Sequence, residues 1–282
     1  MPVSDEEITT LAATHDIVAI GMRADEIRRQ LHGAATTFVR VADVAADAGP
    51  IAVAAAAGEI RIVGTPANRS AAMARVAAVV SQARGLPVSA FSLDDLERIA
   101  AGENVTLRSL LEELRTAGLE LVAEAPFDRL QDARRSIEEV NIAGLALARL
   151  TIHQLTSDDP VALLKRVVEL QRAVAVIRAF APLPRRLNPA LPTTGYDDVK
   201  RVAIARLIVE NVPSIQVDWA LYGPKLAQIA LTVGADDVDS VSPDDETGEG
   251  RRRAPLEEIR RNIRAAGLDP VERNGRFDIV GQ

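Results

Sequence analysis

Cysteine is absent from the 282 residues of this sequence. Disulfides, thiolate zinc sites, nucleophilic cysteines and cysteine-ligated iron–sulfur clusters all require the sulfur atom itself. The sequence therefore excludes each of these structures and chemistries. No other feature of the composition constrains function as strongly.

Aromatic residues are also scarce, at 3% of the chain, although 48% of the residues are hydrophobic. The hydrophobic residues are mainly alanine, valine, leucine and isoleucine, a composition typical of helices packed on buried parallel strands. The length suits one large α/β domain or two small ones, and either can bury a sizeable core.

Positive charge is in deficit, because the net charge is −7. Nucleic acids and anionic membranes require a concentrated positive surface, so we expect neither as a partner. The first residues, MPVSDEEITTLAATHD, carry acids where a signal peptide needs basic residues, and no apolar run approaches the ~20 residues that span a bilayer. We expect a soluble cytoplasmic protein whose partner is a small molecule or another protein.

Short runs rich in β-branched residues alternate with helical stretches along most of the chain. Eight strands are predicted, at residues 36–41, 59–63, 87–91, 119–123, 145–152, 176–183, 214–217 and 236–240. Helices are predicted near 69–84, 92–101, 106–117, 129–141, 158–175, 196–210, 222–233 and 254–266. Eight strands separated by crossovers of helical length predict an α/β fold of the (β/α)8 TIM-barrel type, with an open doubly wound sheet as the alternative.

The two ends of the chain predict additional elements around this barrel. Two amphipathic helices come first, and the second ends at Gly33 as a C-cap. The segment SPDDETGEGRRR has no apolar residue except proline, which predicts a flexible loop, and Asn274-Gly275 predicts a hairpin turn. The predicted parts are an N-terminal cap, 1–33; the barrel, 34–241; the charged loop, 242–253; and a C-terminal helix and hairpin packed on the barrel, 254–282.

The common phosphate, dinucleotide, zincin and hydrolase motifs are absent, so candidate site residues come from predicted strand ends, where barrels carry their chemistry. His153 lies at the C-terminal end of a predicted strand, whereas His15 and His32 lie in the cap. His153 could transfer protons, but a structural histidine bonded to a neighbour fits the same position.

Acidic residues also lie at predicted strand ends. Glu124 follows the fourth strand, Asp218 follows the seventh, and three more aspartates lie on or beside the eighth. Such carboxylates could orient a hydroxyl group or transfer protons, although an aspartate that begins a loop often caps the next helix. The candidate acid–base residues are His153, Glu124, Asp218 and Asp237, and no metal site is predicted.

Charged and aromatic residues complete the candidate set. Arg40 and Arg178 lie within predicted strands, where a charge must be paired or must face a polar lumen. Trp219 could supply an aromatic wall for a flat ligand or simply pack against the following helix. The candidate ligand-binding residues are Arg40, Glu124, His153, Arg178, Asp218, Trp219, Asp236 and Asp239.

Several stretches, in the same order along the chain, resemble the radical S-adenosylmethionine enzymes of the futalosine route to menaquinone. NVPSIQVDWALYGPKLAQIALTVGADDVDSV, at 211–241, is similar to their C-terminal third, and IGMRADEIRRQLHGAATTFVRV to the helix that enters their first strand. TIHQLTSDDPVALLKRVVELQ resembles the segment around their Gly-His-x-Glu turn, and IRAFAPL their Phe-x-Pro-Leu strand. The family comprises aminofutalosine synthase, dehypoxanthine futalosine cyclase and the deazaflavin (FO) synthase subunit. The resemblance implies a barrel fold and a connection with menaquinone synthesis.

The motifs that initiate the family's radical reaction are missing from this chain. The family binds a [4Fe–4S] cluster through a C-x3-C-x2-C loop after its first strand, where this chain has ADVAADAGPIAVAAAAG. A Gly-Gly pair that contacts S-adenosylmethionine is replaced by Gly64-Thr65-Pro66, and Leu155 replaces the glutamate of the Gly-His-x-Glu turn. We therefore expect neither the cluster nor S-adenosylmethionine as a cofactor.

Two functional hypotheses from different classes remain open. The first is a non-catalytic, cluster-free relative that binds a small-molecule ligand or pairs with an active radical enzyme of menaquinone synthesis. The second is an enzyme that uses acid–base chemistry on a futalosine-like nucleoside or an aromatic acid. Convergence of His153 and two carboxylates in one open pocket would favour the second hypothesis. A pocket filled by apolar side chains would leave only a structural partner.

Overall fold

The computed structural model describes residues 5–47, 49–155, 159–244 and 254–280. Its helices are α1 Asp5–Ala13, α2 Ile17–His32, α3 Arg69–Val80, α4 Leu93–Gly102, α5 Leu107–Thr116, α6 Ala133–Ile142, α7 Pro160–Val174, α8 Gly195–Ile208, α9 Trp219–Thr232 and α10 Pro255–Ala265. Its strands are β1 Ala35–Ala45, β2 Glu59–Val63, β3 Val88–Ser92, β4 Leu121–Pro126, β5 Ala146–Leu147, β6 Leu150–Gln154, β7 Ala179–Arg186, β8 Ser214–Asp218, β9 Asp237–Val241 and β10 Asp269–Arg273. No helix among these residues is long and apolar enough to cross a membrane.

The strands close into a parallel barrel, as predicted. The sheet runs in the order β1-β2-β3-β4-β6-β7-β8-β9, and β9 pairs in parallel with β1, so the first and last strands meet. The helices cover the outside, which is the consequence of connecting parallel strands by right-handed crossovers. The carboxyl ends of all eight strands therefore surround one opening, called the mouth below.

Side chains alternate between the lumen and the helix layer along each strand because successive residues of a strand point to opposite faces. In β2, Ile60 and Ile62 are buried among the apolar core residues, whereas Glu59 and Arg61 bond to partners across the lumen. The helices supply the other half of this core through apolar faces such as Leu110, Leu111 and Leu114 of α5. The lumen is consequently polar and the surrounding layer apolar.

The N-terminal cap ends where the sequence predicted. Asp16 caps α2 by accepting hydrogen bonds from the backbone N–H groups of Val18 and Ala19. Gly33 follows the last helical residue with a φ of 61°, a left-handed conformation that glycine adopts without strain. The chain then enters β1 directly.

Two predicted elements differ from the structure. The predicted strand at 145–152 is divided into β5 and β6, and the intervening Arg149 sends its side chain to a buried partner across the lumen. Among the described residues, the predicted C-terminal hairpin forms a single antiparallel bridge, between Arg273 and Ile279. Its first strand, β10, instead pairs in parallel with β1, from Ala35 opposite Asp269 to Val39 opposite Arg273.

This pairing makes β10 part of the barrel wall. It lies beside the N-terminal half of β1, below the point where β2 begins to pair with β1. Residues 245–253 of the predicted charged loop lie outside the described residues.

Candidate functional site

A polar cavity of about 530 Å³ opens at the mouth of the barrel. Its lining residues come from seven of the eight barrel strands and the segments that directly follow them. The eighth strand contributes Ser240. Its charged lining comprises Asp43, Arg61, Asp94, Asp95, Glu124, Arg129, Arg149, Arg185, Arg186 and Asp218. None of the described residues of the loop after β1, at 46–47 and 49–58, lines it.

The floor of the cavity is a buried ion-pair network centred on Asp239. Arg61 donates from its two terminal nitrogens to the two carboxylate oxygens of Asp239, each at 2.9 Å, and from Nε to Glu59 at 2.9 Å. Arg149 donates to the same carboxylate of Asp239. Burial opposes ionisation of Asp239, but the positive charges of Arg149 and Arg61 outweigh it and hold its pKa well below the ordinary range.

A second ion-pair network joins three strands above this floor. Arg185 of β7 lies 2.6 Å from a carboxylate oxygen of Asp218 and 3.3 Å from one of Glu124. Burial acts to lower the pKa of Arg185, but the charges of Glu124 and Asp218 outweigh it and raise that pKa. Ser240 links the two networks by donating to Asp218 at 3.2 Å and accepting from Arg61 at 2.9 Å.

His153 stands at the rim of the mouth, at the end of β6. Its Nε2 lies 3.3 Å from a terminal nitrogen of Arg129. The Nε of the same arginine pairs with Asp94 at 2.8 Å. A guanidinium can only donate hydrogen bonds, so Nε2 of His153 is the acceptor in this contact and the ring N–H lies on Nδ1. Asp128 fixes the end of the strand by accepting from the backbone N–H groups of His153 and Gln154.

Among the described acids that line the mouth, Asp43, near the end of β1, combines an exposed side chain with a raised pKa. Partial desolvation is the main cause of the raised pKa, and the negative charges of Asp239 and Asp218 add to it. The positive charges of Arg61 and Arg149 oppose the shift. Asp43 therefore retains a proton to higher pH than an isolated aspartate does.

Three of the predicted acid–base residues come together in this cavity: Glu124, His153 and Asp218 all line it. Asp239, predicted as a ligand-binding residue, lies directly beneath them and bonds to two lining arginines. The carboxylates of Glu124 and Asp218 are both held by Arg185 rather than by His153.

Two predicted aspartates lie away from the mouth in structural ion pairs. Asp237 begins β9, so it lies at the opposite end of the barrel, where Arg273 donates to its two oxygens at 2.7 and 2.6 Å. Asp236 precedes the strand and points outward, accepting from Ser214, the backbone of Ile215 and Arg206. Neither carboxylate reaches the cavity. The position of a residue along its strand decides which end of the barrel it lies near, and successive residues of a strand point to opposite faces of the sheet.

The remaining predicted residues also lie outside the cavity. Arg40 pairs with Glu272 of β10 at 2.7 Å, and Arg178 donates to the backbone carbonyl of Arg276 at 2.7 Å. Trp219 is buried as the first residue of α9, which matches the packing alternative rather than an aromatic ligand wall.

Arg61, Arg149 and Arg185 were missed by the sequence analysis, although they organise the mouth. Arg61 and Arg149 lie inside predicted strands, EIRIV and LALARLTI, and are almost fully buried. The criterion that selected Arg178, a charge within a central strand that needs a partner, applies equally to both. Arg185 follows the predicted strand at 176–183, so strand-end position would have indicated it.

The iron–sulfur cluster that the resemblance implies does not fit the residues present. The loop after β1 has no cysteine, and no group of three or more His, Cys, Asp or Glu side chains among the described residues could hold a metal ion. In place of the glycine pair, Thr65 donates from its hydroxyl to Asp95 at 2.6 Å. The donors of this mouth are guanidinium groups and carboxylates.

Comparison with known proteins gives the family context of this site. Residues 183–281 match the CofH/MqnC C-terminal region. The chain is 27% identical to an aminodeoxyfutalosine synthase of Thermus thermophilus, over 68% of this chain and 60% of that protein. It is 24% identical to a cyclic dehypoxanthine futalosine synthase of Streptomyces coelicolor, over 72% of this chain and 57% of that protein. The chain thus spans less than two thirds of the length of these relatives.

A crystal structure of methylornithine synthase (PylB) superposes with a TM-score of 0.67 at 13% identity, covering 96% of this chain and 94% of that one, which supports the barrel fold alone. The sequence matches confirm the predicted resemblance: residues 183–281 match the CofH/MqnC C-terminal region, and the chain is similar to aminodeoxyfutalosine synthase and cyclic dehypoxanthine futalosine synthase.

Proposed function

We propose that this protein is a cluster-free barrel that binds a small polar molecule at its mouth and serves menaquinone synthesis by the futalosine route without radical chemistry. One observation carries the proposal. The barrel of the family is retained, whereas the chain has no thiolate, and buried arginine–carboxylate pairs organise its mouth.

The form of the cavity supports ligand binding. Its volume of about 530 Å³ lies within the range typical of small-molecule sites. Its charged groups are held in place by Arg61, Arg149 and Arg185, so they are oriented before a ligand arrives. Preorganised polar groups lose little conformational entropy on binding, which favours affinity.

The same contacts favour binding over acid–base catalysis. A general base needs a carboxylate or imidazole that can take up a proton near the operating pH. Arg185 already pairs with Glu124 and Asp218, and Arg129 occupies Nε2 of His153. These groups act in the proposal as hydrogen-bond acceptors and orienting charges for a ligand.

The proposal includes a second mode of action, association with an active radical enzyme of the same pathway. The relatives of this chain are named for aminodeoxyfutalosine and cyclic dehypoxanthine futalosine synthesis. A relative without the cluster would act beside such an enzyme, by delivering or retaining a pathway intermediate.

We expect the purified protein to bind a polar probe, to sediment together with the aminodeoxyfutalosine synthase encoded in the same genome, or both. Calorimetric titration with inosine, adenosine and benzoate measures the first property, and analytical ultracentrifugation of the mixed proteins measures the second. S-adenosylmethionine serves as the control ligand and should not bind. Absence of probe binding together with absence of co-sedimentation would contradict the proposal.

A further inference from the structure

A group of cationic and hydrogen-bond-donating side chains lies on one side of the mouth, where β4, β6 and β7 end. Arg129 follows β4, His153 lies near the end of β6, and Arg186 is the last residue of β7. All three line the cavity. Asp43 of β1 and two acids that follow β3, Asp94 and Asp95, also line the cavity, and Asp94 pairs with Arg129.

Arg186 has an unusual position within this group. Its Cα is paired with that of Gln154 across the β6–β7 ladder, one residue beyond His153. Its side chain is exposed, and in the described part of the chain it forms no ion pair. The other lining arginines, for example Arg61, Arg149 and Arg185, are held by carboxylates.

The nearby acids are already engaged. Asp128 accepts from two backbone N–H groups, and Asp94 accepts from Arg129 at 2.8 Å. His153, which accepts at Nε2, carries its proton on Nδ1 and so can donate there. The rim therefore presents donors from three strands.

We infer that Arg186, Arg129 and His153 form a subsite for an oxyanion, the carboxylate or phosphate group of the bound molecule. The planar guanidinium of Arg186 suits such a group because its parallel N–H donors match two oxygens at once. The inference rests on the proposed binding function and names its ligand class. Glu124, Asp218 and Asp43, deeper in the mouth, accept hydrogen bonds from hydroxyl or amino groups of the same ligand, a small hydroxylated acid or phosphate ester.

Matched neutral and anionic probes test the inference. Inosine is compared with inosine 5′-phosphate, and sorbitol with gluconate, by calorimetric titration at low and high salt. The phosphate pair and the carboxylate pair distinguish the two sources of the oxyanion. We expect at least one anionic probe to bind about tenfold more tightly than its neutral counterpart, with the difference decreasing as salt rises.

Replacing Arg186 with glutamine should weaken binding of that anionic probe by about tenfold or more and leave the neutral probe unchanged. Arg186→Lys should give an intermediate loss, because lysine keeps the charge but lacks the planar fork. Arg264→Gln, on the exposed last turn of α10, is the matched control and should change nothing.

Thermal unfolding confirms that each variant is folded, as expected for exposed side chains. Neutral probes that bind as tightly as anionic ones would overturn the inference while leaving the proposed binding function standing. The same holds for an Arg186→Gln protein that binds the anionic probe like the wild type. If none of the four probes binds, the inference is overturned. The proposed function is then tested separately, by titration with adenosine and benzoate and by co-sedimentation with the synthase.

Discussion

Replacing Arg273 with glutamine is expected to lower the free energy of unfolding by about 3–5 kcal/mol, the typical effect of removing one partner from a buried ion pair. Arg273 is 2% exposed and Asp237 is fully buried, and two hydrogen bonds of 2.7 and 2.6 Å join them. The variant leaves the Asp237 carboxylate without its counter-charge inside the barrel. It also removes the guanidinium that lies 4.0 Å from the ring centre of Phe277.

Urea unfolding of the wild type and the variant measures this effect. Arg260→Gln is the control, since Arg260 is only partly buried and lies 3.4 Å from Glu272, and such surface pairs contribute about 0–1 kcal/mol. The double variant Asp237→Asn with Arg273→Gln should recover part of the loss, because it removes the unpaired charge as well. Equal stability of the Arg273 variant and the wild type would contradict the assignment of β10 to the barrel wall.

Replacing Asp239 with asparagine should destabilise the protein by a similar amount, about 3–5 kcal/mol. Its carboxylate is the shared partner of Arg61 and Arg149, both nearly fully buried. Without it, the two guanidinium groups repel each other in the lumen, where Glu59 pairs with Arg61 and Glu124 lies 3.9 Å from Arg149. Urea unfolding at neutral pH measures the loss.

The pH dependence of stability should also change in the Asp239 variant. The folded-state pKa of Asp239 lies below the unfolded value of about 3.9, so its stabilising contribution is complete above that value and is lost as the pH falls through the lower folded-state pKa. The wild type should therefore lose stability more steeply than the variant on acidification below about pH 4.

Asp43→Asn is the matched control for this prediction. Burial raises the pKa of Asp43, so ionisation of this carboxyl is unfavourable in the folded protein, and its removal should leave stability at neutral pH unchanged or slightly higher. An Asp239 variant as stable as the wild type, with the same acid profile, would contradict the role given to the lumen network.

The barrel itself was predictable because its evidence is local. Each strand is a short β-branched run and each crossover a helical stretch, and these patterns are contained within a few residues. The role of β10 was not predictable in this way. Its partner in the sheet, β1, lies more than two hundred residues earlier, and the Asn274-Gly275 turn indicates only a local hairpin.

The site was predictable to the extent that strand ends define it. Glu124, His153 and Asp218 follow strands and line the cavity, as expected of a barrel mouth. Asp236 and Asp237 were misplaced because they lie at the amino end of the eighth strand, and the amino ends of barrel strands lie opposite the mouth. The pairing of Arg149 with Asp239 was not predictable, because the two residues are ninety positions apart in sequence and meet only in the closed barrel.

The central claim is that this relative works without an iron–sulfur cluster. The direct test is anaerobic reconstitution of the purified protein with iron and sulfide, followed by reduction in the presence of S-adenosylmethionine. The absence of thiolates predicts no cluster absorption, no paramagnetic signal after reduction and no 5′-deoxyadenosine. A bound cluster together with release of 5′-deoxyadenosine would contradict the claim.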